Sequence, residues 1–553
     1  MTNIVVHDTE KVQLKRELGL FSAVNLIVAV MIGSGIFVSP TNALVRSGSV
    51  GFCLIVWASC GIVSLLGALA FAELGTVVPR SGAEYIYFVE AFSPIHKYWG
   101  QMPAFICSWV YIVVLRPAEV AVVVLTFAEY IIQPLSIYTK EVPHESMQWV
   151  TKFIGIAALG LMTYINITSV KLYVKVQNVF TVCKVAACSL IIGGGIVWLG
   201  QGHTELLQDP FKGTTTSPGD IALAFYSGLW AYDGWSSATI VTEEVDRPEV
   251  NILRSILISV PTVTLFYVAM NLMYMSVLSI PEMTAAPAVA VLWAERALPS
   301  WLGFAIPLGV AIATFGCGMS VQFGVSRLCW VAGQEGHVPR VFSFVHVAKM
   351  TPAAAVSLQG TLTLLFILTG NINALIEFAS FLTWVFYGLA MVALVVLRRT
   401  KPMVPRPYKV PTFIPWLVLL VSIFLAVMPI VKDPSPKYAF AGVFILAGIA
   451  VYHRYVYRKS KSRFMGEFEK REKLHSINKC TPFFEIFRYN DLFFPFFRLQ
   501  INSPTPYKLF AWLPILIKRT DLYAIPVLVW SFNFTIMRIL SPGIERDITS
   551  SRR

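Results

Sequence analysis

Charged residues are scarce in this sequence. They make up 14% of its 553 residues, whereas 56% are hydrophobic. Soluble globular proteins carry about 25% charged residues, so we infer that lipid rather than water surrounds most of this chain. Cysteine is equally sparse. Seven of the eight cysteines fall inside apolar stretches, a placement that predicts no disulfide framework.

Motifs for catalysis, metal binding and nucleotide binding are missing as well. The eight histidines are scattered along the chain, with no HExxH pattern and no phosphate-binding glycine loop. Ion channels carry a pore helix with a filter signature, which this sequence lacks. We therefore expect no enzyme activity, no metal site and no cofactor.

Long apolar stretches are what the sequence does contain. A membrane-spanning helix needs about 20 mostly apolar residues, and this requirement predicts an all-α membrane protein with twelve transmembrane helices. The domains are then a cytoplasmic N-terminal segment at residues 1–18, a twelve-helix core at 19–463 and a divergent C-terminal tail of unknown function at 464–553. We place the spans at residues 20–45, 52–77, 99–132, 148–166, 176–200, 219–243, 255–279, 302–331, 353–370, 374–397, 412–431 and 438–457.

Basic residues are concentrated in alternate loops, although the formal net charge is +13. With the N-terminus in the cytoplasm, basic residues favour the cytoplasmic loops by about three to one, as the positive-inside rule requires. This distribution predicts a multi-pass protein in a lipid bilayer and gives no reason to expect nucleic acid as a partner. The basic flank at residues 11–16 indicates a cytoplasmic anchor rather than a cleavable signal.

Two of the twelve spans carry glycine clusters where a helix should be uniform. The first contains Gly33, Ser34 and Gly35, and the sixth contains GLWAYDG at residues 228–234, with Asp233 inside it. Glycine costs about 1 kcal/mol in a helix interior, and broken backbone at membrane depth is tolerated only where it lines a cavity or is buried in protein. The alternative is that these glycines only allow close helix packing.

The two clusters lie five spans apart, which predicts an inverted repeat. Spans 1–5 and 6–10 would form its two halves, with broken helices 1 and 6, and two extra helices would follow. Broken helices at matching positions of two halves indicate the binding site of a transporter.

Each predicted break offers free backbone groups to a ligand. The second half of the first span begins with the N–H groups of Ser34, Gly35 and Ile36, at the positive end of a helix dipole, where a carboxylate binds well. The sixth span leaves carbonyl groups near Trp230 and Ala231, which suit an ammonium group. A carboxylate receptor beside an ammonium receptor describes a site for an α-amino acid.

Several segments resemble one membrane protein family, the L-type amino acid transporters, over roughly residues 12–463. These are light subunits of heteromeric amino acid transporters in the amino acid–polyamine–organocation superfamily. The resemblance implies a twelve-span fold with a five-helix inverted repeat and sodium-independent exchange of amino acids at the plasma membrane. It is carried by GLFSAVNLIVAVMIGSGIFVSP (19–40), FAELGTVVPRSGAEY (71–85), LAFYSGLWAYDGW (223–235), VTEEVDRP (241–248), AGQEGHVPRV (332–341) and FLTWVFYGLA (381–390).

The resemblance also implies roles for individual residues of the two breaks. Met31, Ser34 and Gly35 would surround the substrate carboxylate, and Trp230 and Ala231 would contact its amino group. Trp230 would also close the site from outside as a gating aromatic.

Asp233 bears on the choice of side chain. Neutral-selective members of the family carry a small residue at this position, and AYDGW resembles the b(0,+)-type branch, which exchanges cationic and neutral amino acids and takes cystine. The Asp233 carboxylate would then pair with a cationic side chain. The alternative is that Asp233 pairs with a cation of the protein.

Buried charges elsewhere in the spans require partners. The resemblance implies that Lys184, in the fifth span, takes the place of a sodium ion and ties the first broken helix to the eighth span; the alternative is snorkelling to the interface. Arg116 and Glu119 in the third span are three residues apart and share a helical face, so we expect a structural pair. Trp384 is a candidate wall of the side-chain pocket, or a packing residue.

A salt-bridged inner gate is also predicted at the end of the sixth span. Glu243 and Glu244 would pair there with Arg80 or Arg327. A solvated charged rim is the alternative.

The chain departs from the family in the external loop after the third span. Light subunits usually carry a cysteine there, for a disulfide to a single-span glycoprotein heavy chain, but residues 135–147 contain none. A disulfide-linked partner is therefore doubtful, and we expect either independent function or a non-covalent heavy chain. The alternatives for function are an exchanger of large neutral amino acids or cystine only, or a transporter-like amino acid sensor.

Overall fold

The computed structural model describes seven parts of the chain, and all of its regular structure there is helical. The predicted N-terminal segment 1–18, except Leu18, and the tail 464–553 lie outside the described residues, as does most of the loop 135–147. The described residues are 18–133, 144–286, 288–345, 351–369, 372–432, 434 and 436–458.

Most of these residues belong to α-helices, joined by a few short segments of other helical types. A π-helical segment, Tyr111–Leu115, joins α5 to α6, and a second, Tyr452–Tyr457, extends α19. The α-helices are α1 (Leu20–Met31), α2 (Gly35–Ser47), α3 (Val50–Val77), α4 (Glu84–Phe92), α5 (Met102–Val110), α6 (Arg116–Ile132), α7 (His144–Thr168), α8 (Val170–Gly200), α9 (Pro218–Tyr232), α10 (Ser237–Ile240), α11 (Pro248–Val277), α12 (Ile280–Ala285), α13 (Val289–Ala297), α14 (Ser300–Gly303), α15 (Ala305–Gln334), α16 (Ala353–Thr369), α17 (Ile372–Thr400), α18 (Phe413–Lys432) and α19 (Pro436–Val451).

Every predicted span coincides with a helix or a pair of helices. Within the described ranges, nine helical spans are long and apolar enough to cross a membrane alone, and α1 with α2 forms a tenth span, bent by 47° at its break. The two remaining predicted spans are shorter helices, with 15 residues in α9 and 17 in α16. The all-α, multi-span fold predicted from hydropathy is therefore confirmed, while the inverted relation between its halves stays a prediction.

The third span forms the centre of the bundle. In its most apolar window 89% of the residues are buried, compared with 28% in α8 and 17% in the span that contains α19. Large apolar side chains that are exposed, such as Phe153 on α7 and Leu420 on α18, belong to the outer helices, where lipid covers them. Charged groups on the third span consequently face protein, not lipid.

A buried carboxylate joins three distant segments at the end of α3. Glu73 is fully buried and accepts hydrogen bonds from Arg398 at 2.5 and 2.9 Å and from the amide of Val410 at 2.8 Å. Arg406 lies 3.5 Å away as a weaker second cation. Since a buried charge is tolerated only when it is paired, this carboxylate connects α3, the end of α17 and the loop before α18.

We expect the substitution Arg398→Leu to destabilise the bundle by about 3 kcal/mol, because it leaves Glu73 buried without its main partner. The measurement is the apparent melting temperature of the detergent-solubilised protein. The matched control is Arg399→Leu, which removes an exposed arginine from the neighbouring position. Equal melting temperatures for the two variants would contradict the role given to Glu73.

Candidate functional site

The first span is unwound at residues 32–34, between α1 and α2. The amide of Gly33 donates to the carbonyl of Met31 at 2.8 Å, and α2 begins at Gly35. A side chain at position 33 would place its Cβ 2.5 Å from Sγ of Cys317 on α15. Glycine is therefore required here by close packing against α15 as well as by the broken backbone.

The sixth span is unwound at residues 233–236, between α9 and α10. Gly234 has a φ of +114°, a conformation that other residues rarely adopt, and a Cβ on it would lie 2.5 Å from Cγ1 of Val30. The break begins later than the sequence predicts, because Trp230 and Ala231 belong to the last turn of α9. The last carbonyl groups of a helix nevertheless lack intrahelical partners, so both residues remain able to offer a carbonyl.

The two breaks touch in the centre of the bundle. A Cβ on Gly35 would lie only 2.3 Å from Cα of Ala231. The hydroxyl of Tyr267 on α11 lies within hydrogen-bonding distance of the carbonyls of both Met31 and Ala231, the latter at 3.1 Å. The residues predicted to bind the two ends of a zwitterion therefore lie side by side, with one tyrosine between them.

Free amides at the start of α2 lie next to this contact. Ser34 is its N-cap residue, and its side chain makes no capping hydrogen bond. The first N–H groups of the helix, including those of Gly35 and Ile36, have no intrahelical acceptor. The site is buried, as are its residues Met31, Ser34, Gly35 and Ile36. An anion bound there would be stabilised by the positive end of the α2 dipole and would be largely shielded from water.

The carbonyls of Trp230 and Ala231, on the α9 side of the contact, already accept hydrogen bonds in this conformation. The carbonyl of Trp230 accepts from the amide of Asp233 at 3.3 Å, and that of Ala231 faces Tyr267. Trp230 itself is half-buried, whereas Ala231 is almost fully buried. An ammonium group would have to share or replace these hydrogen bonds.

A cluster of charged residues lies beside the break of the sixth span. Nη1 of Arg116 is 2.6 Å from a carboxylate oxygen of Glu119 and 3.5 Å from one of Asp233. The hydroxyl of Tyr387 donates to the other oxygen of Asp233 at 2.5 Å. The three charged side chains are only 9 to 14% exposed. One guanidinium thus faces two carboxylates in a nearly dry environment.

Lys184 is fully buried on α8 and contacts the first break. Its Nζ donates to the carbonyl of Ala29 at 2.8 Å. Cys317 on α15 donates to the next carbonyl, that of Val30, at 3.3 Å. The end of α1 is thereby held by hydrogen bonds from both the fifth and the eighth spans.

Aromatic side chains pack around Asp233 and its tyrosine partner. Trp384 is 5% exposed, and its ring is perpendicular to that of Tyr387 at a centroid distance of 5.6 Å. Trp235 approaches the same tyrosine ring at 4.7 Å. Trp384 therefore reaches the charged cluster through Tyr387, which is a packing contact.

Ion pairs close the end of the bundle that holds Leu18, Glu244 and Arg327, which we call the Leu18 face. Arg327 contacts Glu244 at 3.2 Å, with both side chains buried. Arg80, the other predicted partner, pairs with neither Glu243 nor Glu244. Arg80 pairs with Glu335 at 2.6 Å, whereas Glu243 accepts from the amide of Ser81.

Other polar contacts reinforce this closure. Leu18 and the chain after α10 exchange backbone hydrogen bonds at 2.8 and 2.9 Å. His337, in the loop after α15, lies 2.8 Å from the hydroxyl of Tyr85. Burial lowers the pKa of His337 to about 4, so this contact is one between neutral groups at physiological pH.

The space left between the breaks and the Leu18 face is small. A cavity of about 30 Å³ is lined by α1, α10 and α15 together with Arg116. Ligand pockets usually measure about 300–1,000 Å³. This cavity is therefore smaller than a ligand pocket in the present conformation.

Three residues of this centre are absent from the sequence-based site. Tyr267 and Cys317 lie in uninterrupted helices that contain no unusual motif. Tyr387 lies in the FLTWVFYGLA segment, in which the sequence-based candidate is Trp384. In the described part of the chain, no group of three histidine, cysteine or acidic side chains has the arrangement of a metal site.

Known proteins resemble this chain over most of its length. The family model described as Amino acid permease matches residues 18–452. The b(0,+)-type amino acid transporter 1 of Mus musculus is 43% identical over 82% of this chain and 91% of the relative. The cystine/glutamate transporter of Homo sapiens is 39% identical over 82% and 88%, and the large neutral amino acids transporter small subunit 2 of Mus musculus is 37% identical over 85% and 86%.

We expect Gly35→Ala to destabilise the centre by about 1–3 kcal/mol, because the new methyl group overlaps the backbone of Ala231. Hydrogen exchange should accelerate in the first turn of α2 and the last turn of α9. The matched control is Gly160→Ala on α7, where a Cβ meets no atom within 4 Å. Unchanged exchange in both turns would show that the two backbones are not in contact.

Proposed function

This chain belongs to the amino acid permease family and, within it, to the L-type amino acid transporters, and from that premise we propose that it exchanges neutral and cationic L-amino acids by alternating access. Amino acid transport is what its relatives share. The choice of substrates, the independence from sodium, the absence of a catalytic activity and the roles of individual residues are the proposal.

Contact between the two unwound segments is the observation that supports transport most directly. Gly35 lies against Ala231, and Gly234 lies against Val30, so the two breaks form one buried centre. Broken helices that meet at the middle of a membrane bundle characterise transporter binding sites. A cavity of about 30 Å³ lies beside them, smaller than an amino acid needs, so substrate binding requires the centre to rearrange.

The substrate backbone would bind at the ends of the broken helices. Its carboxylate would approach the amides of Ser34, Gly35 and Ile36 beside Met31, where the dipole of α2 is positive. Its ammonium group would approach the carbonyls of Trp230 and Ala231. The Tyr267 hydroxyl has a single proton, and its nearer acceptor is the Met31 carbonyl, so the Ala231 carbonyl can still accept from the ammonium group.

Asp233 supports the cationic part of the proposal. Together with Arg116 and Glu119 it forms a buried cluster with one positive and two negative charges. A lysine or arginine side chain would neutralise the excess carboxylate, whereas a glutamate side chain would be repelled. The b(0,+)-type relative has a name that denotes neutral and cationic substrates, which agrees with this proposal.

One observation favours a transporter of neutral amino acids or cystine alone. Arg116 already lies 3.5 Å from Asp233, so a cation of the protein compensates part of its charge. A transporter-like sensor is a further alternative. Uptake by the unmodified protein and by an Asp233→Ala variant, in liposomes with and without internal amino acid, distinguishes the three functions.

Lys184 supports independence from sodium. Its ammonium group holds the Ala29 carbonyl at the first break and is fully buried. In this position the ammonium group supplies positive charge to the carbonyl end of α1. A bound sodium ion would otherwise be needed to neutralise those carbonyl dipoles.

The proposed location is the plasma membrane, with the Leu18 face toward the cytoplasm according to the positive-inside rule. One relative is named a small subunit, so a heavy-chain partner is a reasonable expectation. All seven cysteines that the structure describes are free thiols. The loop 135–147 contains no cysteine, and we therefore propose that any heavy chain associates non-covalently.

We expect Asp233→Ala to raise the KM for lysine about tenfold relative to that for leucine, because it removes the partner of the cationic side chain. The assay is uptake of labelled lysine and leucine by purified protein in liposomes that are empty or preloaded with leucine. The control is Asp220→Ala, at the opposite end of α9, where the carboxylate pairs with Arg46 and Lys432.

The outcomes of this assay separate the three functions. Equal effects on lysine and leucine would refute the cation-partner role and favour a neutral exchanger. If the unmodified protein is correctly folded but takes up neither lysine nor leucine, it is a sensor.

Replacement of sodium by choline should leave lysine and leucine uptake unchanged, because Lys184 supplies the positive charge at the first break. Lys184→Ala should abolish uptake in both media. Lys175→Ala, on an exposed position of the same helix, provides the comparison and should have little effect. A strong sodium requirement of the unmodified protein would overturn the role given to Lys184.

A further inference from the structure

Arg116 is shared unequally between two carboxylates. Its Nη1 lies 2.6 Å from Glu119, where it donates a hydrogen bond, but 3.5 Å from Asp233. A distance of 3.5 Å lies beyond the usual range of an N–H···O hydrogen bond, which ends near 3.2 Å. Arg116 is therefore hydrogen-bonded to Glu119 and only ion-paired to Asp233.

Helix geometry makes the shorter contact a local one. Arg116 and Glu119 both belong to the first turn of α6, three residues apart, where side chains on one face meet. Asp233 belongs to the unwound segment of another span. The Arg116–Glu119 pair can therefore persist when the sixth span moves, whereas the contact with Asp233 depends on the conformation of the break.

Asp233 is consequently left with an oxygen that accepts no hydrogen bond from Arg116. Its Oδ1 accepts from Tyr387 at 2.5 Å, while its Oδ2 is the atom that faces Arg116. Tyr387 orients the carboxylate without neutralising it. Oδ2 thus retains the capacity to accept from a ligand.

The charge balance of the cluster also favours a cationic ligand. Arg116 is opposed by two carboxylates, those of Glu119 and Asp233. Since uncompensated buried charge is costly, a ligand cation would complete the cluster.

We propose that Glu119 is a positioning residue for substrate selection, which holds Arg116 away from Asp233 and so keeps Asp233 available to a cationic side chain. This inference rests on the proposed function of Asp233. Without Glu119, Arg116 would close onto Asp233 as a charge-assisted hydrogen bond, and the cluster would lose its excess negative charge. Both effects disfavour lysine and arginine and leave neutral amino acids unaffected.

The test is the substitution Glu119→Gln, which removes the charge and preserves the size of the side chain. We expect the KM for lysine to rise about tenfold while that for leucine changes less than about twofold. Glu119→Met removes the same charge with an apolar side chain of similar length and should give the same shift, so the test does not depend on one variant. Glu119→Asp, which keeps the charge, should retain much of the preference for lysine.

The matched control is Glu129→Gln, an identical change at a half-buried position of the same helix, outside the cluster. It should not alter the ratio of the two KM values. A purely structural role of Glu119 would lower lysine and leucine uptake together, or lower the melting temperature with an unchanged ratio. Either result would overturn the inference.

A double-mutant cycle separates this inference from the proposed function. In the Asp233→Ala background, Glu119→Gln should change the KM ratio no further, because its effect acts through Asp233. If Asp233→Ala alone leaves the ratio unchanged, the proposed function itself fails. If Asp233→Ala changes the ratio and Glu119→Gln does not, only the positioning role of Glu119 is wrong.

Discussion

Direct backbone contact between two unwound segments is the constraint on which this structure depends. Gly35 meets Ala231, and Gly234 meets Val30, at distances that leave no room for a side chain. The contact brings the positive end of one half-helix beside the carbonyl end of another. In the proposed function this pair of ends binds a zwitterion through backbone atoms, and other residues nearby set the side-chain preference.

Those residues are charged and lie on the most buried span of the bundle. Arg116 and Glu119 are placed on the third span, whose surroundings are protein on nearly all sides. Their mutual pairing makes two charges tolerable at membrane depth, and the approach of Asp233 adds a third. The proposed function therefore assigns the substrate backbone and the substrate side chain to different parts of the fold, which can vary independently.

The spans and the two breaks could be predicted from the sequence because apolar length and glycine clusters are local properties. The limits of the second break could not, since a helix tolerates Gly228 at modest cost and α9 continues to Tyr232. Tyr267 and Cys317 could not be predicted because their hydrogen-bond partners lie 36 to 287 residues away along the chain. Single-sequence patterns carry no information about such contacts, and the binding roles of the site residues remain predictions.

The short backbone bridge between Leu18 and Val245 has a mechanical consequence. Its two hydrogen bonds fasten the segment that enters the first span to the segment that leaves the sixth. Separation of Leu18 from the segment 244–246 must break both hydrogen bonds at once. A binder or fusion that immobilises the chain at Leu18 would therefore also restrain α10, and could be used to trap the protein shut for imaging.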